Sequence, residues 1–476
     1  MDRPHGRAGR ASPRGIRIAV NTQTPLIRFR DEVVLQAGAG PISLSGLREP
    51  DDYKFTTGGV TRMILPLLRR WLADGAVARA EWVAMAAGER APRLAHEGVD
   101  LAFVGLPPGD AKGYARVKER MWALLNSNPS TPVPHGEGGI PERAWSAFDR
   151  YQAASADALA EAADRMGRLD LLYVHDFQQI GVGEAWKGPR VPKLFHLHTP
   201  FPSVLPGAWT EYFLARLRAY DAVVVSTRRY AANLRAAGFD RPLHVIPPFI
   251  DPDDYPAADA ARVAAFRDRF GLREDDEVVL NVGRMDPMKG QDRLIRAMPA
   301  LLRARPQAKL VLVGNGSFSS SRKGGLGLSK GARWRESLET LAKELGVQDR
   351  VVFTGHLGDD LLPAAYEACR VFCLPSTREG FGLAAIEAWR HRRPVVVSDR
   401  AGVAELVLEG RNGQVVDCAE PAALSGALAA LLADPDAARR MGDAGREDSE
   451  VATLPQGRLA LEGVFAELLE VERVAA

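Results

Sequence analysis

With 476 residues, 46% hydrophobic and 26% charged, the chain is too long for one ordinary domain and has the make-up of a globular protein, not a fibrous or disordered one. A formal net charge of +2 gives no broad basic surface, which argues against nucleic acid as the main partner. The three cysteines, Cys369, Cys373 and Cys418, cannot make a disulfide framework and point to a reducing, cytoplasmic setting, and no apolar run reaches the roughly 18 residues of a membrane span.

Residues 1–15 are basic and rich in Gly and Pro, have no apolar signal-peptide core behind them, and read as a disordered tail. Residues 16–20 alternate as a first strand, and 36–51 read as a loop. Thr56-Thr-Gly-Gly-Val60 leads into a helical apolar pattern in which Pro66 predicts a kink or a later start. Gly58 and Gly59 let backbone approach a ligand at a helix start, although a tight turn explains a Gly-Gly pair equally well. Strands are predicted at 81–86 and 101–104, an irregular loop at 129–141 and a long helix at 141–166. The apolar strand 171–174 delivers His175 and Asp176 at its carboxyl end, and 193–198 is the next strand. A helix at 209–219 and strands at 222–226 and 244–247 complete this half. Buried strands alternating with helices imply a parallel sheet covered on both faces.

The Pro/Asp-rich stretch 250–256 reads as a linker to a second such series, with strands at 278–282, 310–313, 351–353, 371–374, 395–397 and 413–416. A Ser/Gly/Lys-rich insertion at 318–335 reads as a mobile surface loop, and the chain ends in a helix over 459–471. The expected fold is α/β, with two Rossmann-like doubly wound domains, 16–255 and 256–455, facing a central cleft. Residues 456–476 are expected to pack back toward the first domain.

Three motifs carry chemistry. Gly283-Arg284-Met-Asp-Pro-Met-Lys289-Gly290 leaves the first strand of the second half with two cations suited to a diphosphate, and Asp286-Pro287 turns both toward one side. Val313-Gly-Asn-Gly316 ends another strand, but lacks the third glycine of a dinucleotide fingerprint and the G-K-S/T of a phosphate loop. In Thr377-Arg-Glu-Gly-Phe-Gly-Leu-Ala-Ala-Ile-Glu-Ala388, glycines at a helix start offer free N–H groups to an anion. If that helix begins at Gly380, Glu379 lies at its mouth and Glu387 two turns down, about 80° around the axis. An acidic first turn is also common in any α/β protein.

These motifs, in this order, resemble the C-terminal domain of retaining glycosyltransferases of the GT-B fold that use sugar nucleotides. L-L-Y-V-H-D-F-Q, L-F-H-L-H-T-P-F-P-S and T-T-G-G-V in the first half resemble trehalose-phosphate synthases and related trehalose-forming transferases. The resemblance implies that Arg284 and Lys289 bind the donor diphosphate and that Glu387 holds the ribose. It implies that Glu379 and the backbone of Gly380, Phe381, Gly382 and Leu383 hold the sugar and its phosphate. His198 would contact the donor sugar, Asp176 and Gln178 would face the acceptor side, and Gly58 and Gly59 would close over the phosphates. Asn315 and Gly316 would line the donor site, and His356 and Leu357 belong to the segment that reads the nucleobase. No cofactor is implied beyond the sugar-nucleotide co-substrate, and no metal, because the two cations can stabilise the departing diphosphate. The partners implied are that donor and a small polar acceptor, and assembly into a homo-oligomer is compatible with the sequence.

The chain departs from the trehalose-phosphate synthases at Gln178, where they carry a second histidine, and at Glu379, where they carry an aspartate. The acceptor is therefore open: a sugar, an aminoglycoside-type compound or another small polar nucleophile. Two other readings stand beside the transferase. One is a metal-dependent hydrolase built on His196 and His198 with His175-Asp176 nearby, for which no cluster of third and fourth ligands follows a strand in the manner such sites need, so that His196 reads better as a core or second-layer histidine. The other is a silent sugar-nucleotide-binding protein.

Overall fold

A computed structural model of the chain describes residues 15–29, 41–49, 51–56, 58–86, 92–126, 139–315, 326–358 and 360–475. Its contacts divide it into two units, Met1–Pro247 with Gly457–Ala476, and Pro248–Gln456.

The first unit is built on a nine-stranded sheet. In spatial order its strands are Leu243–Val245, Ala222–Val225, Lys193–Leu197, Leu171–His175, Ile16–Thr22, Val77–Met85, Val99–Val104, Leu94–His96 and Ile42–Ser43. The first seven run parallel, and Leu94–His96 runs antiparallel to its neighbour Val99–Val104. Every residue of Leu171–His175 is buried, which is why that strand reads as an unbroken apolar run and not as an alternation. The chain order reverses beside Ile16–Thr22, which pairs with Val77–Met85 on one side and Leu171–His175 on the other. The helix Glu142–Met166 buries Trp145, Phe148 and Tyr151, and Trp145 meets Tyr212 with ring centroids 4.8 Å apart.

The second unit has a six-stranded, all-parallel sheet. Its order is Val351–Gly355, Ala308–Val313, Glu277–Val282, Val371–Leu374, Val395–Ser398, Gly413–Val416. Counted from Glu277–Val282, this is the 3-2-1-4-5-6 order of a doubly wound sheet, which reverses between its first and fourth strands. The crevice for a ligand in such a sheet lies beyond the carboxyl ends of those two strands. In this sheet they release the loops that begin at Gly283 and Pro375.

The terminal helix runs from Leu454 to Ala475, and from Gly457 onward it belongs to the first unit. There Trp71 donates from Nε1 to Glu462 at 2.8 Å, and Phe465 lies 5.2 Å from the Trp71 ring.

Three expectations are corrected. The helix after Gly382 spans only Leu383–Arg390, so Glu379 precedes it instead of sharing it with Glu387. The cause is Gly382, whose φ of +109° no helix interior accepts. The second half of the expected surface loop is helical: Leu326–Glu344 is one helix, anchored by the buried Leu338 and Ala342. The helix Gly59–Ala73 carries Pro66 within it, so that proline does not delay the start. The basic tail up to residue 14, residues 36–40 and 50 of the first expected loop, Thr57, residues 129–138 of the irregular loop, and Gly316 with the rest of 316–325 lie outside the described residues.

Candidate active site

In the second unit, the two loops at the reversal point are joined backbone to backbone. The Thr377 amide donates to the Met288 carbonyl at 2.8 Å. Gly290 has φ +70°, and a Cβ there would stand 2.1 Å from the Pro375 carbonyl oxygen, so only glycine fits this crossing. Asp286 caps the short turn Pro287–Lys289 by accepting from the Met288 amide at 3.0 Å. Lys289 is thereby aimed at Glu379, and its Nζ lies 2.5 Å from Oε2. Ser376 donates to the same oxygen at 3.1 Å.

Arg284 is half-buried, and among the described residues no carboxylate pairs with its guanidinium. Its main chain is fixed on both sides. The Arg284 carbonyl accepts from Gln291 Nε2 at 2.7 Å, and the next amide, of Met285, donates to the Asn315 carbonyl at 2.8 Å. Trp334 in turn donates to Gln291 Oε1 at 3.1 Å. Gly314 lies so close to the Gly283 carbonyl oxygen that a Cβ would come within 1.9 Å of it. His356 is exposed and Leu357 buried just past the strand Val351–Gly355.

Glu387 sits one turn into its helix. Tyr366 donates to its Oε2 at 2.7 Å and Tyr255 to its Oε1 at 3.1 Å, which leaves the carboxylate oriented rather than free to rotate. Gly380 and Phe381 lie in the connecting segment, where the Val403 amide donates to the Phe381 carbonyl at 2.8 Å. Sequence reasoning missed the two tyrosines, Ser376, Gln291 and Trp334. Each acts by tertiary contact and carries no motif.

In the first unit, Asp176 follows the strand Leu171–His175 with φ +64°, a conformation rare for a residue with a Cβ. Its amide donates to the His196 carbonyl at 2.8 Å, and its Oδ1 accepts from Thr199 Oγ1 at 2.8 Å and from the Thr199 amide at 3.2 Å. Burial pushes the Asp176 carboxyl upward, against the pull of these hydrogen bonds. Gln178 is half-buried, and its carbonyl accepts from Gln152 Nε2 at 2.9 Å. Gly58 caps the helix Gly59–Ala73, and Thr61 Oγ1 ties that cap by donating to the Gly58 carbonyl at 2.8 Å.

His175 joins the pair of His196 and His198. His175 is the register partner of His196 on the adjacent strand, and one ring nitrogen from each of the three histidines falls within 4.8 Å of the others. His175 Nδ1 and His198 Nε2 share a hydrogen bond of 3.0 Å, and His196 Nδ1 lies 2.7 Å from the Tyr173 hydroxyl. The ring planes are near-parallel. Interplanar angles are 6° for His175 and His198, 24° for His196 and His198, and 28° for His175 and His196. His175 and His198 lie edge to edge with their facing nitrogens 3.0 Å apart, too close for an ion between them at about 2.0–2.1 Å from each, and His196 stacks on the face of His198 with centroids 4.0 Å apart, so its ring plane runs alongside theirs instead of converging. Burial lowers all three: His175 and His196 fall well below the ordinary value, and His198 to about 3. The cluster is therefore uncharged at neutral pH.

Residues 83–254 match Glycosyltransferase Family 4, and residues 263–448 match the glycosyl transferases group 1. A GDP-mannose-dependent alpha-(1-6)-phosphatidylinositol monomannoside mannosyltransferase of Mycolicibacterium smegmatis is 35% identical over 305 residues, which is 60% of this chain and 74% of that protein. The chain belongs to the group 1 glycosyltransferases. This glycosyltransferase is also 31% identical over 365 residues to a D-inositol 3-phosphate glycosyltransferase of Acidothermus cellulolyticus, covering 72% of this chain and 76% of the relative. Its fold is that of the trehalose 6-phosphate synthase from Burkholderia multivorans, with a TM-score of 0.72, 18% identity, and coverage of 97% of this chain and 98% of that one. The glycosyltransferase thus has the GT-B architecture of two doubly wound units. Among its described residues no helix is long and apolar enough to cross a membrane.

Proposed function

We propose that this glycosyltransferase moves a hexose from a nucleoside diphosphate sugar to a hydroxyl of a small polar acceptor, with retention at the anomeric carbon. The observation that carries the reading is the cation set at the reversal point of the second sheet. Arg284 has no carboxylate partner among the described residues and Lys289 stands beside it, on loops pinned by glycines that tolerate no side chain. A diphosphate placed there meets two positive charges that grow in value as the bond to the sugar breaks. Glu387, held by two tyrosines, suits a vicinal diol such as a ribose, and Glu379 suits the hydroxyls of the transferred sugar.

On this reading the leaving phosphate takes the acceptor proton on the face it departs from, and the two cations meet the charge that a divalent ion would otherwise meet. The buried, uncharged histidines fit such a scheme, because they supply hydrogen bonds at neutral pH and no titrating base. The nitrogens of His175 and His198 spent on each other, and His196 stacked on His198, speak for the transferase over the metal-dependent hydrolase. The relatives named for phosphatidylinositol monomannoside and D-inositol 3-phosphate favour a polyol or polyol-bearing acceptor.

The test is a matrix of guanosine, uridine and adenosine diphosphate hexoses against inositols, inositol phosphates, hexoses and hexose phosphates. Products are read by mass spectrometry and the anomeric configuration by NMR. An α-linked product from an α-linked donor is expected. Inverted product, or tight nucleotide binding with no transfer to any acceptor, overturns the reading.

A further inference from the structure

We infer that His175 is a positioning residue that donates its Nδ1–H to Nε2 of His198 and so fixes His198 in the Nδ1–H form, which meets the donor sugar as a hydrogen-bond donor and not as a base. The inference rests on the reading of His198 as the residue that contacts that sugar.

The hydrogen bond of 3.0 Å between the two rings can be drawn in two directions. If His198 donates, His175 must carry its proton on Nε2. That atom is buried and has no partner among the described residues, which would leave an unsatisfied N–H in the interior. If His175 donates, its Nε2 is a bare lone pair in the same buried position. Buried N–H groups without acceptors are the rarer and costlier fault. The second direction therefore holds, and His175 is the Nδ1–H tautomer.

The consequence passes to its neighbour. His198 Nε2 is occupied as an acceptor, and a neutral imidazole then carries its proton on Nδ1. His175 is 1% exposed, whereas His198 is half-buried, so Nδ1 of His198 is the ring nitrogen left for a ligand. His175 is itself held, between the Tyr173 ring, with centroids 4.1 Å apart, and the edge of His198, whose centroid lies 5.3 Å away in a nearly parallel plane. Asp176, the adjacent carboxylate, is taken up by Thr199 and offers no competing route for this proton.

The full-length protein labelled with ¹⁵N-histidine tests this by long-range ¹H–¹⁵N correlation. His198 is expected with Nδ1 protonated and Nε2 bare, and the reverse overturns the inference whether or not sugar transfer has been found. In turnover, His175→Phe keeps a planar ring at that place and removes the donor. It is expected to lower kcat on the order of tenfold to a hundredfold, with a smaller change in donor KM. His175→Asn, whose amide nitrogen overlays Nδ1, is expected to recover most of that loss. A folded His175→Phe with wild-type kcat, or His175→Asn no better than His175→Phe, overturns it. Should neither variant fold, the wild-type tautomer decides alone. Full transfer by His198→Phe would instead remove the reading on which the inference rests while leaving the tautomer to be judged separately.

Discussion

At the residue scale, the informative groups are those whose partners fail to cancel them. Lys289 is paired with Glu379, so Lys289→Ala removes a diphosphate contact and also leaves that carboxylate without its cation. Arg284→Ala removes a charge with no carboxylate partner among the described residues and should leave the fold intact. Both are expected to lower the transfer rate on the order of 10²-fold or more. Thermal melting should separate them, with only Lys289→Ala shifting the transition. Wild-type turnover in both would dismiss the diphosphate site. Tyr366→Phe and Tyr255→Phe each remove one of the two hydrogen bonds that orient Glu387. The expected result is a donor KM raised by roughly three- to tenfold per lost bond, equivalent to about 0.5–1.5 kcal/mol, with kcat nearly unchanged. Saturation kinetics with donor varied at fixed acceptor would show it.

At the element scale, strand ends do the positioning. Gly314→Ala would bring a Cβ into the Gly283 carbonyl at a residue with φ +136°, so the loop carrying Arg284 must shift. The strained conformation alone costs about 1–3 kcal/mol, and both a lower melting temperature and weakened donor binding are expected. The histidine cluster ties the strands Leu171–His175 and Lys193–Leu197 and gives stability a pH dependence. Its three members have lowered values in the folded chain, while the unfolded chain takes up protons near the ordinary value of 6.5. Their contribution is therefore complete above about pH 6.5. It is lost as pH falls below that, at up to about 1.4 kcal/mol per pH unit for each histidine. Urea midpoints should drop between pH 7.5 and 5.5, and the drop should shrink in His196→Gln. Superimposable curves for the wild type at both pH values would mean the histidines are not held neutral.

Much of this was legible in the sequence, for a physical reason. Parallel strands buried on both faces must be apolar throughout, so 171–174 and 371–374 announce themselves, and the loops after them hold the functional groups. Sequence reading was less able to see contacts that depend on register. His175 meets His196 only because two strands pair with those residues opposite, and Tyr255 reaches Glu387 across 132 positions of chain. The helix start was misplaced because Gly380 and Gly382 look alike on paper, whereas only Gly382 takes the left-handed conformation. Leu326–Glu344 was misread because its Gly- and Ser-rich opening hides a helix that is held by Leu338 and Ala342 further along.

At the scale of the whole molecule, the two units differ in how the chain supplies them. Pro248–Gln456 is a continuous segment, while the other unit draws on Met1–Pro247 and again on Gly457–Ala476. A fragment of residues 248–456 is expected to fold alone, with a single cooperative denaturant transition. A fragment of residues 1–247 would lack Glu462 and Phe465 against Trp71, and Phe465 against Tyr173, and is expected to lose fixed near-ultraviolet dichroism. A sharp, native-like transition for 1–247 alone would show the terminal helix to be dispensable.

The seat of that helix also sets a timetable for birth on the ribosome. Trp71 and Tyr173 emerge early, yet Phe465 follows only after all of 248–456 has been made. At about 5–20 residues per second the wait is roughly 15–60 s for Tyr173 and roughly 20–80 s for Trp71, far longer than local helices or a hydrophobic collapse require. During that interval the second-made unit can finish folding before the first-made one, and the apolar seat stays open to the aqueous phase. A trigger-type holding chaperone, or slow codons placed after residue 456, would bear on yield without touching a single catalytic group.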